Sequence, residues 1–254
     1  MINLIDLTGR KIVVIGASSG IGKQTAITLS KVGATVILAA RREDKLQETL
    51  CLLDGGGHGI HCFDTQKLDQ IEGHIKQIVS EFGQLDGMVY SAGLGTAIPL
   101  LQTKPEKLQD VFEVNLFGFI ETVRQLCKKG RFNPGMRIVG ISSCASLRGD
   151  KSKTAYSASK AAMDSAIRCI AKEMADRGIC INSVAPSMTA TELYGHYLEK
   201  YGEDSETNQD LLKRQYLGIA ETTDIANAVA FLISPAAKYI TGITLPVDGG
   251  LTTC

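Results

Sequence analysis

The sequence predicts one α/β domain: a doubly wound parallel sheet with helices on both faces. Three observations predict it. Short β-branched runs alternate with helix-period segments, and the runs are almost continuously apolar instead of alternating apolar with polar. A glycine-dense turn (Gly16, Gly20, Gly22) joins the first run to the first helical segment. Strands that are apolar on both faces must be covered on both faces, which is the arrangement of parallel sheets in α/β proteins. A chain of 254 residues, 44% hydrophobic, suits a single domain spanning 1–254 better than two small halves.

The expected strands are KIVVI (11–15), TVILA (35–39), HGIHCF (58–63), LDGMVY (85–90), RIVGIS (137–142) and GICINSVA (178–185). Between them, residues 21–32 place Ile21, Thr25, Thr28, Leu29 and Val32 on one face, with Gly33 as the stop. Residues 67–81, 105–129 and 154–176 read as helices in the same way, and a further helix falls near 224–233. DGGGHG (54–59) reads as a loop between a helix and a strand. Residues 188–216 form a connection long enough to carry its own helices and to serve as a substrate lid.

Formal net charge is zero, so no nucleic-acid or membrane surface is expected. The first residues lack the basic-then-apolar layout of a signal peptide, and no apolar run reaches membrane length. The seven cysteines form no CxxC pair. Buried, reduced thiols in a cytoplasmic protein, with no metal site, are the expectation.

A glycine-rich turn between a strand and a helix N-terminus presents free N–H groups and a positive dipole end to an anion, most often a dinucleotide pyrophosphate. Gly16 would make the turn, Gly20 would admit the phosphates and Gly22 would let helix and strand pack closely. A purely structural turn is the alternative. About twenty residues on, an acid would bind the ribose hydroxyls of NAD. The second strand instead ends Ala40-Arg41-Arg42. Two guanidiniums match a 2′-phosphate and point to NADP(H). The competing reading has Arg42 merely pairing with Glu43 and Asp44.

Tyr156 and Lys160 lie four apart at the start of a helix and so share a face. A neighbouring ammonium favours phenolate over phenol, which suits a proton donor or acceptor working on an alcohol or ketone. Ser142 and Ser143 end the fifth strand, where open α/β sheets build their sites.

Taken together, GASSGIG, SAG (91–93), VNLFG (114–118), ISS followed by YSASK, INSVAP (181–186) and YITGITLPVDGG (239–250) resemble the short-chain dehydrogenase/reductases in order and spacing. The likeness runs over residues 7–250 and extends to 3-oxoacyl-acyl-carrier-protein reductase-like members. It implies a Rossmann-type fold and a catalytic set of Asn115, Ser143, Tyr156 and Lys160. Tyr156 is then the general acid/base, and Ser143 holds the substrate oxygen. Lys160 depresses the tyrosine and binds the nicotinamide ribose, and Asn115 holds a water linking Lys160 to solvent. The implied NADP(H) contacts are Gly16, Ser18, Ser19, Gly20, Ile21, Gly22, Arg41, Arg42, Asp64, Ser91, Ala92, Gly93, Tyr156, Lys160, Pro186 and Thr189. Asp64 stands for the adenine contact, Pro186 and Thr189 for the nicotinamide amide contacts. The resemblance also implies a homotetramer formed through the 105–129 and 154–176 helices and through the C-terminal segments.

Three residues depart from the family pattern. Ile15 stands where relatives have Thr, Tyr90-Ser91 where they have Asn-Asn, and Ser187 where they have Gly. An apolar substitute bracing is expected for the first two, and a tilted nicotinamide or a narrowed pocket for the third. In the long connection, Tyr194, His196, Tyr197 and Tyr201 suggest an aromatic pocket, among acids that include Glu203, Asp204, Glu206 and Asp210. Arg177 occupies the place of a carrier-docking arginine. The expected substrate is a small carbonyl or alcohol, free or carrier-bound. The readings that remain are a 3-oxoacyl reductase, a dehydrogenase of a cyclic alcohol, sugar or steroid, and a non-catalytic cofactor-binding regulator.

Overall fold

In a computed structural model, residues 4–202 and 205–253 are described. Among them, seven parallel strands form one sheet in the order β3-β2-β1-β4-β5-β6-β7. The strands are β1 (Lys11–Ile15), β2 (Thr35–Ala40), β3 (Gly59–Cys62), β4 (Leu85–Tyr90), β5 (Phe132–Ile141), β6 (Cys180–Pro186) and β7 (Thr244–Val247). The order reverses between β1 and β4, where such sheets open a ligand crevice at their carboxyl ends.

Alternate residues of each strand feed separate cores. Val13 and Ile15 of β1 pack in one cluster with α3 (Leu68–Phe82), α5 (Gly118–Leu126) and α6 (Thr154–Met174). Ile12 and Val14 pack on the other face with α1 (Gly20–Lys31), α2 (Glu43–Leu50) and α9 (Thr222–Ile233). Fully burying each such Val, Leu or Ile contributes about 1.5–3 kcal/mol.

Several boundaries differ from the sequence reading. Neither α2 nor β7 stands out in the sequence. α2 has only two buried residues, Leu46 and Thr49, and β7 is four residues long with a proline, so neither carries a strong period. The 105–129 segment is not one helix. α4 (Pro105–Phe112) passes through a wider π turn at Glu113–Phe117 before α5 begins. The connection after β6 holds α7 (Glu192–Tyr201) and α8 (Glu206–Arg214), as its length implied. The thiols are less buried than expected: Cys127 and Cys144 are buried, but Cys51, Cys62 and Cys169 are exposed. Cys254 lies outside the described residues.

The two departures at Ile15 and Tyr90 resolve together. They are register partners on β1 and β4, fully buried in the same core cluster. The bracing is apolar apart from one hydroxyl: Tyr90 Oη donates to the Val114 carbonyl at 2.7 Å, inside the π turn, and its ring meets Phe119 edge-on at 5.4 Å. Gly118 permits this approach, because a Cβ there would stand 2.8 Å from Tyr90 Oη and 2.7 Å from the Thr65 carbonyl. Tyr90 therefore ties β4 to the segment that carries Asn115. Tyr90→Phe leaves the Val114 carbonyl without this donor, and urea unfolding should show a loss of about 1–3 kcal/mol.

Candidate active site

The strand ends surround a cleft of about 840 Å³, within the usual range for small-molecule and cofactor sites. At its near end, Gly16 turns with φ +86°, and a Cβ there would meet Ala92 N at 2.5 Å. A Cβ on Gly22 would stand 2.2 Å from the Gly16 carbonyl oxygen and 3.1 Å from Ser91 Cβ. The turn thus packs backbone against backbone at the ends of β1 and β4. Ser19, the N-cap of α1, makes no side-chain capping bond, so the first N–H groups of the helix remain available to a ligand. Gly20 faces the cleft mouth, where a Cβ would lie 3.4 Å from Thr191 Cγ2 and 3.7 Å from Glu192 Oε2.

Beyond β2, Arg42 does not pair with Glu43 or Asp44 among the described ion pairs. Its Nη2 donates to Ser18 Oγ at 3.1 Å and Ser19 Oγ at 3.4 Å. Arg41 is largely exposed and stands 3.9 Å from Asp64 Oδ2, a pair that contributes little in water. Ser18, Arg41 and Arg42 line one corner of the cleft, with no carboxylate at Ala40.

At the other end lie Ser142 and Ser143 of the β5 terminus, Tyr156 and Lys160 of α6, and Pro186 of the β6 terminus. Lys160 is buried, and its Nζ donates to the Ile141 carbonyl at 2.7 Å. Burial pulls its ammonium down to about 8, partly opposed by Asp164. Burial also pushes the Tyr156 phenol up from its ordinary value, while the facing Ser143 hydroxyl pulls it back. The expected depression of Tyr156 by Lys160 is not seen in this state. The Lys160 ammonium sits 6.0 Å from the ring centre and is directed at a carbonyl.

Of the residues expected at the site, the cleft brings together Gly16, Ser18, Ser19, Gly20, Ile21, Arg41, Arg42, Asp64, Ser91, Ala92, Gly93, Ser143, Tyr156, Lys160, Pro186 and Thr189. Gly22 and Asn115 stand behind its wall. The Asn115 side chain is fully buried: it accepts from Leu94 N at 2.7 Å and donates to the Leu94 carbonyl at 3.2 Å and Ser159 Oγ at 2.9 Å. Those three bonds commit it to holding the 93–95 loop against α6, with one lone pair of its Oδ1 left over.

The aromatic pocket is not formed as expected. Tyr194 and Tyr197 stack on each other at 6.1 Å, and Tyr194 Oη donates to Asn208 Oδ1 of α8. His196 does line the cleft, with Nδ1 3.1 Å from Glu199 Oε2. The side chain of Tyr201, and both Glu203 and Asp204, lie outside the described residues. Arg177 donates to the Cys127 carbonyl and lies 4.8 Å over the Phe132 ring, while remaining exposed at the surface. The sequence reading missed the walls Phe63, Val114 and Met188, and Glu192 at the mouth. Apolar residues at strand ends look like core until the cleft is seen.

The residues fit a dinucleotide. The glycine cradle has no room for Cβ atoms where backbone meets backbone, and the α1 amides are uncapped. Ser187 Oγ, at a lining residue, is buried without a hydrogen-bond partner among the described residues. Its hydroxyl is suited to a carboxamide arriving beside Pro186.

A doubly wound sheet with a glycine cradle at its switch point and a Ser–Tyr–Lys group beside it defines a nucleotide-dependent oxidoreductase. The family model described as enoyl-(acyl carrier protein) reductase matches residues 16–252. The chain is 34% identical over 250 residues to glucose 1-dehydrogenase of Gluconobacter oxydans, covering 96% of this chain and 92% of that protein. It is 32% identical over 247 residues to the 3-oxoacyl-[acyl-carrier-protein] reductase of Vibrio cholerae (97% and 99% covered). L-xylulose reductase of Caenorhabditis elegans is 34% identical over 254 residues, with 97% of each chain covered. Among solved structures, a dehydrogenase/reductase from Sinorhizobium meliloti superposes with a TM-score of 0.89 at 30% identity, covering 98% and 97% of the two chains. A variant of actinorhodin polyketide ketoreductase with NADPH does so at 0.87 and 29%, over the whole of both chains. This chain belongs to the short-chain dehydrogenase/reductase family.

The Lys160 ammonium makes stability depend on pH in a definite direction. Its folded value of about 8 lies below the ordinary 10.5. Between those two values the unfolded chain holds a proton that the folded one has lost, so this group's contribution to stability rises with pH. Lys160→Met removes the dependence. In paired urea titrations, the variant's stability relative to wild type should be higher at pH 7 than at about pH 10.5, by on the order of 3 kcal/mol.

Proposed function

We propose that the protein is an NADP(H)-dependent carbonyl reductase that interconverts a ketone and a secondary alcohol, of the 3-oxoacyl reductase type. The observation that carries it is the pairing of a Ser143–Tyr156–Lys160 group with a basic 2′ corner at Ser18, Arg41 and Arg42. When bound, the nicotinamide supplies or takes up hydride. The pyrophosphate would rest on the amides of the Gly16–Gly22 turn, and the nicotinamide amide would meet Pro186, Ser187 and Thr189. The adenine would lie beside Asp64, against Phe63 and Val114.

Ser143 Oγ donates to the substrate oxygen and fixes its position, and Tyr156 Oη exchanges the proton at that oxygen. A phenol held above its ordinary value by burial is protonated at neutral pH, which suits donation and hence reduction. Lys160 holds the nicotinamide ribose and carries the positive charge that assists phenolate formation. Asn115 acts by position, holding Leu94 and Ser159. The α7–α8 connection serves as the lid over 188–216. Exposed Phe117 and Ile120 on the 105–129 segment support a homotetramer, and the protein works in the cytoplasm.

The names of two relatives, glucose 1-dehydrogenase and L-xylulose reductase, favour a second reading with a sugar or polyol substrate. A panel of 3-oxoacyl thioesters, ketoses and sugar alcohols, followed by nicotinamide absorbance, separates the two.

Three variants test the reading itself. Arg42→Ala, and more so the double change with Arg41→Ala, should weaken NADPH binding by about 1.5–3 kcal/mol per lost charged contact and spare NADH. A wild-type protein that binds NADH as tightly as NADPH would contradict the assignment. Tyr156→Phe keeps the ring and should leave cofactor binding intact while turnover falls by roughly 10²–10⁴-fold. Near wild-type turnover would remove Tyr156 from the chemistry.

A further inference from the structure

Behind the cleft floor sits a buried carboxylate that the proposed chemistry does not use. Asp164 lies one turn after Lys160 on α6, and both side chains are buried. Its Oδ2 accepts from Ser142 Oγ at 2.9 Å and its Oδ1 from Ser183 Oγ at 2.8 Å. Ser142 directly precedes Ser143 and directly follows Ile141, whose carbonyl takes the Lys160 ammonium. The carboxylate, the ammonium and the end of β5 thus form one buried polar group.

We infer that Asp164, held between Ser142 and Ser183, is a positioning residue that keeps the neighbouring Lys160 as an ammonium ion. Burial alone favours a neutral lysine. A carboxylate one helical turn away opposes that cost through its field, without touching the nitrogen. No Lys160–Asp164 contact falls within 4.0 Å among the described ion pairs, so the carboxylate acts at a distance on an ammonium whose hydrogen bond goes to the Ile141 carbonyl.

The other titratable groups near the cleft floor do not substitute for it. Tyr156 on α6 and Cys144 after β5 are both pushed up by burial and remain neutral at neutral pH. His196 reaches the cleft from α7 and brings no negative charge. Glu192 lies at the Gly20 end, Asp64 faces Arg41, and Asp110, on α4, is paired with Lys107 near the surface. Asp164 is the buried carboxylate on Lys160's own helix, and burial keeps solvent from screening it.

The test follows Lys160 directly. Carbon-13 at the lysine ε position is titrated by NMR in the cofactor-free protein, with the Lys160 signal assigned by its loss in Lys160→Met. The expected wild-type midpoint is about 8, and Asp164→Asn should lower it by roughly 1 unit or more. The amide is isosteric, and each serine keeps another partner: Ser142 Oγ has Ser146 Oγ at 3.4 Å and Ser183 Oγ has Thr244 Oγ1 at 3.0 Å. Ser183→Ala breaks a hydrogen bond but keeps the charge, and should leave the midpoint in place. An unchanged midpoint in Asp164→Asn, or an equal shift in Ser183→Ala, overturns the inference. So does a wild-type midpoint of about 5–6, the behaviour of a buried lysine with no countercharge. The consequence for turnover rests on the role proposed for Lys160. Absence of turnover with every carbonyl substrate would overturn that role, while the titration still decides the one given to Asp164.

Discussion

The site depends on one steric permission: at the ends of β1 and β4, backbone lies directly on backbone. A Cβ at Gly16 or Gly22 would stand 2.5 Å from Ala92 N or 2.2 Å from the Gly16 carbonyl oxygen, distances no side chain tolerates. With those two positions bare, the first turn of α1 seats against the 91–93 segment and its uncapped amides open into the cleft. The same contact sets where the 93–95 loop runs, and Asn115 then pins that loop to α6 through Leu94 and Ser159. The cofactor end and the chemical end of the cleft are therefore fixed by a single packing event.

Much of this is legible in the sequence because it rests on local rules. Continuous Val and Ile runs announce a parallel sheet, and the spacing from Ser143 to Tyr156 to Lys160 places three functional groups on two elements. What stays hidden depends on long-range contact. The π turn at Glu113–Phe117 leaves no signature in an otherwise helical segment. It is held from outside, by Tyr90 Oη on the Val114 carbonyl. Glu43 and Asp44 offer Arg42 local partners, which makes an ion pair the competing reading, yet its reach to Ser18 spans 24 residues. The lid tyrosines read as a pocket, and α8 turns Tyr194 away from it. Asp164 does leave a trace, as a carboxylate among Lys160, Met163 and Ile167 on the buried face of α6.

Electrostatics at the cleft floor run against solution chemistry in both directions. Free tyrosine and lysine side chains both titrate near about 10, almost level with one another. Burial drives them apart, raising Tyr156 and lowering Lys160. Both shifts have one cause, the cost of holding charge away from water, and both favour the uncharged form. The floor by itself therefore resists making a phenolate. A positive charge entering the cleft would act against that resistance in a poorly screened place, where each charge counts for more than it would in water.

The sheet's two borders carry a consequence for how the molecule meets its neighbours. β3 and β7 are each four residues long, and β7 contains Pro246, which has no N–H to offer. Exposed strand edges are templates for runaway association between chains, and short or proline-bearing edges are poor ones. Inner strands rich in Val and Ile would otherwise be a hazard during synthesis, when partly folded chains crowd together. Here the hazard is confined to the interior, and the two borders offer an incoming strand only a few backbone groups to pair with.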